Sequence, residues 1–579
     1  MFEQDLNPVG DSLALSALCG AIPLATLFIL LGGLKVRAWL SGLISLGAAL
    51  VVAIVLFEMP TGQALLAGTE GAAFGFFPIL WIVLNAIWVY NLTVHTGHFD
   101  VLRRSFEKVS PDQRIQAIII AFCFGALLEA LAGFGTPVAI TVVMLMALGF
   151  EPIKAAAVAL IANTAPVAFG ALATPIVTLA EVSSGASNDP GLTVETLGAM
   201  VGRQTPILAI VVPLILVFVV DGKRGVRQTW LPALVCGIAF GLAQFVAANY
   251  ISVPLADIFA ALVAAAAVVL LLRGWTPVEV ITAEPRDVPA DGAGGTPQGA
   301  ESGGRPERRE VGSSRGGRTG TSTAIDGPGR DSGADVAKAY APYLVIIAIF
   351  SIANITAVKE FLAEEPFTYA FAWPGLEVLN TAGDPVSTTM FNFNWLPAAG
   401  TLMIFAGLIT AVILKVSPLQ MAKTYVGTYV ELRSAIITVM AVLGLAYVMN
   451  LSGQTTSLGA WLAGAGGAFA ILSPILGWIG VAVTGSDTSA NALFGALQVQ
   501  TATQAGLDPV LMASANSSGG VLGKMVSPQN LAIAAAAVGM AGREGEIFRK
   551  VFGWSLVLLL FMCVIVGLQA TPVLSWMVP

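Results

Sequence analysis

Apolar residues along this chain come in long unbroken runs rather than in alternation. A helix needs about twenty such residues to cross a ~30 Å hydrocarbon core. Stretches of that kind cover residues 13–31, 39–57, 77–94, 115–131, 153–179, 197–220, 231–248 and 255–272; after a break they resume at 342–358, 396–414, 435–449, 458–483, 510–538 and 552–568. Two others, 136–150 and 488–499, hold only about a dozen residues and suit re-entrant or broken helices. Strands of a membrane barrel would alternate over about ten residues instead. The pattern predicts an all-α polytopic membrane protein.

Composition agrees. Of 579 residues 56% are hydrophobic and 11% charged, too few charges to coat a water-facing surface, which usually carries about 25%. The break at 274–339 is rich in Gly, Pro, Ser, Glu and Arg. It cannot bury enough surface to offset its ordering entropy and is expected to be a disordered linker. That divides the chain into a first transmembrane repeat (1–220), a connecting helix pair (221–273), the linker, and a second repeat (340–579). Basic residues gather at Lys35/Arg37, Arg103/Arg104, Lys223/Arg224, in the linker, at Lys415/Lys423/Arg433 and at Arg543/Arg549, whereas 359–394 is acidic. Placing the basic loops inside predicts a cytoplasmic linker and both termini outside. Residues 1–11 are acidic, unlike a signal peptide. Cys19, Cys123, Cys236 and Cys563 all lie in apolar runs and read as packing residues.

The halves repeat each other. Asn91-Leu92-Thr93 is answered by Asn450-Leu451-Ser452, and Gly133-Phe134-Gly135-Thr136 by Gly485-Ser486-Asp487-Thr488. Asn163, Gly170, Thr174 and Pro175 are spaced as Asn516, Gly523, Ser527 and Pro528 are. Asn91 ends a run heading toward the basic loop at Arg103, whereas Asn450 ends one leaving the basic loop at Arg433, so the copies are expected to be inverted. Inverted repeats with interrupted helices are a secondary-transporter architecture, with the site where the interruptions meet. The expected re-entrant regions are 129–150 and 485–500, and the expected broken helices 152–180 and 508–538.

Breaking a helix in hydrocarbon frees backbone N–H and C=O groups, which make a polar site. Asn163, Thr164, Thr174, Asn516, Ser517, Ser518 and Ser527 cluster at the expected breaks and are candidate substrate ligands. Lys524 is the natural counter-ion for a small carboxylate, and completes that set. Glu129, amid Leu127, Leu128, Ala130 and Leu131, is the candidate proton carrier, because an apolar surround favours a neutral acid. Asp487 is a second candidate for coupling, by pairing with Lys524, holding a cation or releasing a proton. The bland alternative is that the three charges pair as structural glue, yet ionisable residues inside a membrane are functional by default. His95 and His98 could relay protons, although interfacial histidines suffice, and no third ligand gathers around them to form a metal site.

The stretch NAIWVYNLTVHTGHFDVLRRSFEKVSPDQRIQAIIIAFCFGALLEALAGFGTPVAI from Asn85, ANTAPVAFGALATP from Ala162, and GSDTSANALFGALQ with SANSSGGVLGKMVSPQN in the second half closely resemble the lactate permease family. The resemblance covers nearly the whole chain except the linker. It implies uptake of L-lactate, and often D-lactate or glycolate, by proton symport through the plasma membrane. It also implies a mobile domain carrying substrate in elevator fashion against a fixed scaffold. The expected partners are a small monocarboxylate and the bilayer, with no nucleic acid, no cofactor beyond the coupling ion, and a homo-oligomer possible. Na⁺ coupling is the runner-up, since Asp487, Thr488 and freed carbonyls offer oxygen ligands. An intramembrane enzyme would need a nucleophile–base set, and a channel suits duplicated broken helices less well.

Overall fold

The computed structural model describes residues 2–282 and 332–579, apart from 134 and 188. Among the described residues eleven helices are long and apolar enough to cross a membrane. Strands are confined to short ribbons: Phe2–Glu3 pairs in parallel with Val378–Leu379, and Tyr369–Ala372 pairs antiparallel with Met390–Phe393. The N-terminal segment and the acidic stretch at 359–394 therefore share one face of the protein. A helical membrane protein results because each helix satisfies its own backbone groups in lipid.

Several boundaries depart from the hydropathy reading. The helix Thr61–Phe74 was not expected, because its Gly, Ala, Thr, Gln and Glu residues read as polar. It runs through a kinked turn, Gly75–Leu80, into Trp81–His95. The expected spans 197–220 and 231–248 both lie within Val194–Ile251, separated by non-helical backbone at Asp221, Gly222 and Thr229, and pack closely on each other, a Cβ on Gly237 falling 2.6 Å from the Ile210 carbonyl oxygen. The second short stretch, expected at 485–500, is a helix of 19 residues, Asp487–Ala505. Its Asn, Gln and Thr residues hid its length.

Only the middle of the expected linker lies outside the described residues. Its last part is already helix Gly333–Ala353, started by Ser332, whose hydroxyl accepts from the Asp335 amide. Its first part is clamped: the Ile281 amide donates to Asp112, and Arg114, fully buried, donates to Asp112, Asp221, Gln228 and the Glu279 carbonyl. Glu279 is held below the usual carboxylate range by its bond from Gln228 and by Arg224.

Helices are interrupted in both halves, and the halves run through a like series of elements. In the first half Thr136–Ala147 is followed by Pro152–Ala162, a loose turn ending at Val167–Phe169, and Gly170–Ser184. In the second, Asp487–Ala505 is followed by Pro509–Gly523, the turn Lys524–Val526, and Pro528–Ala537. The Pro509–Gly523 helix packs backbone to backbone on Phe469–Thr484. A Cβ on Gly477 would overlap the Asn516 carbonyl, and one on Gly519 the Pro474 carbonyl. Small residues let helices approach this closely in membranes. The larger apolar core surrounds the first-half break and joins it to Met512 and Met525; a second gathers Ala49, Phe74 and Tyr447 with Val182 and Leu493.

Candidate functional site

The two breaks converge on one ion pair. Gly125–Leu131 carries Glu129, the turn after Gly523 carries Lys524, and the Lys524 ammonium lies 2.6 Å from Glu129 Oε1. They are 3% and 6% exposed. Asn163, at the C-terminal end of Pro152–Ala162, donates to Glu129 Oε2 at 3.0 Å, so both carboxylate oxygens are engaged. Gly170 makes room for this acid, since a Cβ there would lie 2.8 Å from Glu129 Oε1. The backbone pays for the arrangement nearby: Ala171, Leu172 and Ala173 all hold positive φ, at 43°, 57° and 60°. Each such non-Gly residue costs of order 1–3 kcal/mol unless its surroundings enforce it.

Asp487 opens the Asp487–Ala505 helix, where the helix dipole favours an anion. Its Oδ2 accepts from Ser517 at 2.6 Å, while Oδ1 has no partner among the described residues. Asn491, one turn on, donates 3.0 Å to the carbonyl of Pro175, a group on the interrupted helix of the other half. Asn516 donates to Asn491 and accepts from Gln498, at 2.9 and 3.0 Å. A ladder of amides thus ties the second half to the backbone of the first.

A cavity of about 1710 Å³ reaches this centre. Its inner end is lined by Glu129, Gly170, Thr174, Asp487, Thr488 and Lys524. Arg37, His95, Lys423 and Arg433 line it too, and all four are exposed. Of the candidate ligands read from the sequence, only Thr174 and Lys524 line the cavity, as do both coupling candidates. Asn163 supports Glu129 from behind. Thr164 donates to the Ile161 carbonyl, Thr174 to that of Ala171, and Ser527 to that of Lys524, so these hydroxyls serve the broken backbone. Ser518 donates to Gln204, which donates to Gln569, a bond chain between helices. Lys524 pairs with Glu129 and not with Asp487.

Sequence reasoning missed Asn491, Gln498 and Gln204, and also Asp257, which is 1% exposed and accepts from Gln244 at 2.7 Å. Polar residues within helices were the available signal. His98, outside the spans, is pushed below the usual histidine range by burial and then by Lys338. Among the described residues no group of three His, Cys, Asp or Glu comes together as a metal site would.

The family described as L-lactate permease matches residues 16–573. The L-lactate permease of Bacillus subtilis (strain 168) is 38% identical, covering 100% of this chain and 99% of its own. That of Escherichia coli (strain K12) is 37% identical over 100% of both. The glycolate permease GlcA of Escherichia coli (strain K12) is 40% identical over 97% of both. The chain belongs to the L-lactate permease family, and is a multi-pass membrane transporter rather than an enzyme.

Proposed function

We propose that this member of the L-lactate permease family moves lactate, and related 2-hydroxy monocarboxylates such as glycolate, across the plasma membrane by symport with protons. The observation that carries the reading is the Glu129–Lys524 pair at the inner end of the cavity. A monocarboxylate needs one buried cation and a few hydroxyl or amide partners. Lys524 supplies the first, and Thr488 and Ser489 supply hydroxyls on the same cavity.

When the substrate carboxylate takes Lys524, Glu129 loses its counter-ion in a low-dielectric surround. Uptake of a proton by Glu129 removes that uncompensated charge. Anion and proton then enter together, and the net charge of the centre stays constant. Asp487, with one oxygen unpartnered among the described residues, is the second carrier for that proton. The exposed Arg37, Lys423 and Arg433 draw anions toward the opening, and their basic character supports a cytoplasmic opening. The repeated series of elements supports two inverted copies working as an alternating-access pair. The names of the relatives support the substrate class.

Uptake of labelled lactate by proteoliposomes under separately imposed pH and Na⁺ gradients tests the reading. Uphill accumulation under a pH gradient alone is expected. Accumulation driven only by Na⁺ would replace the proton with sodium. Flux that neither saturates nor shows counterflow would make the protein a pore.

A further inference from the structure

A second cavity, of about 410 Å³, lies at the far ends of the two helices that border the first. Gly170–Ser184 reaches the first cavity at Thr174 and Pro175 and the second at Val182. Asp487–Ala505 reaches the first at Asp487 and Thr488 and the second at Ala496, Gln500 and Thr503. At ~1.5 Å per residue, the two cavities are therefore stacked along the helices rather than side by side. Asn91 lines the first, and Asn450, which answers it in the repeat, lines the second.

Between the cavities the two helices close on each other. A Cβ on Gly495 would lie 2.7 Å from Val182 Cγ2 and 3.0 Å from Leu179 Cδ1. The buried Ser183 hydroxyl faces the same glycine and has no partner among the described residues. Buried hydroxyls are nearly always bonded, so this one is available to a solute passing through. Among the described residues no charged side chain lines the second cavity. Its amides and hydroxyls can solvate a carboxylate but lack the cation that would hold it tightly, which suits a vestibule.

Residues 2–6 form one wall of that cavity through Gln4 and Leu6. The amides of Phe2 and Gln4 donate to the carbonyls of Glu377 and Leu379 at 2.9 and 3.0 Å. The Gln4 side chain, 7% exposed, donates to the Asn450 and Leu451 carbonyls at 2.9 and 3.2 Å. Those carbonyls end Pro418–Leu451 and lack partners within the helix. Ser457, on Gln454–Leu462, donates to the Leu6 carbonyl at 2.7 Å. We infer that the second cavity is the far vestibule of the substrate path, shut at its inner end in this conformation, and that residues 2–6 are the strap that keeps it so. The strap binds the 377–379 ribbon to the junction of two helices, and its release lets those walls part. This deepens the alternating-access reading and rests on it.

Two cysteines introduced one at a time read this in oriented vesicles, with a charged, membrane-impermeant methanethiosulfonate and no substrate. Ala496→Cys, at the buried inner end of the second cavity, is probed from the side of residues 359–394. Thr438→Cys, on the first cavity, is probed from the opposite side. The unsubstituted chain gives the background from its own cysteines. Gln4→Ala removes the side-chain bonds to the helix end and is expected to speed modification at Ala496→Cys about tenfold. It is expected to slow modification at Thr438→Cys, because population leaves the state described here. Ser457→Ala gives the same readouts should Gln4→Ala fail to fold. An unchanged rate at Ala496→Cys overturns the strap, and a rise there without a fall at Thr438→Cys overturns the shared path. Neither rate depends on lactate or on an imposed gradient, so failure of lactate uptake under a pH gradient would overturn the lactate and proton assignments alone.

Discussion

Glu129 and Glu70 are the same residue type, each inside a membrane-spanning helix and each almost wholly buried, yet they meet opposite surroundings. Glu129 has both oxygens engaged, one by Lys524 and one by Asn163, at the end of a cavity. Glu70 has neither engaged among the described residues. A buried carboxylate is therefore not one kind of object. With a base in reach, it is an anion that a substrate can displace. With no base among the described residues in reach, the neutral form is the one its apolar surround favours. The cost of desolvation is similar, and the neighbour decides which form repays it.

The strongest way to break this contrast is to remove the base. Lys524→Ala leaves Glu129 buried without a counter-ion. Loss of one partner from such a pair costs about 3–5 kcal/mol, and lactate affinity should fall more than about tenfold if one charge-assisted contact of ~1.5–3 kcal/mol goes. Equilibrium binding and thermal unfolding read both, and wild-type affinity in the variant would remove Lys524 from the site. Next comes Glu129→Gln, which keeps shape but not charge. It should abolish pH-driven accumulation, and uphill uptake at the wild-type ratio would show that Glu129 is not the coupling acid.

Gly170→Ala sharpens the comparison by pressing a methyl group onto Glu129 alone. Overpacking of this kind costs about 1–3 kcal/mol, so transport should slow; transport at the wild-type rate would mean that the centre has slack. Glu70→Leu is expected to be nearly neutral or stabilising in thermal melts, within about 1 kcal/mol, because no partner among the described residues is orphaned. A loss as large as that of Lys524→Ala would reveal an unseen base. Deleting most of residues 283–331 should alter neither uptake nor melting if that stretch only connects, and a shift in either would give it a role.

Much of the architecture was legible in the residues. Long apolar runs demanded helices, and the Pro166/Gly170/Pro175 and Gly523/Pro528 clusters marked where they break. Thr61–Phe74 escaped because small and polar residues make a helix that is buried by neighbours rather than by lipid, and hydropathy cannot tell that from a loop. Asn491, Gln498 and Gln204 escaped for a related reason. An amide inside a helix shows no partner in its own vicinity, and theirs come from other helices.

What the sequence decided alone was the membrane class, the interruptions, and that Glu129, Asp487 and Lys524 had to be reconciled with hydrocarbon. Apolar length, helix-breaking residues and buried charge are local properties, so a single strand of text holds them. Only the tertiary structure decided that Lys524 meets Glu129, 395 positions away, while Glu70 is buried with no hydrogen-bond partner among the described residues. In a low-dielectric interior, the energy of a charge is set by whatever lies within a few ångströms, and chain order does not specify that.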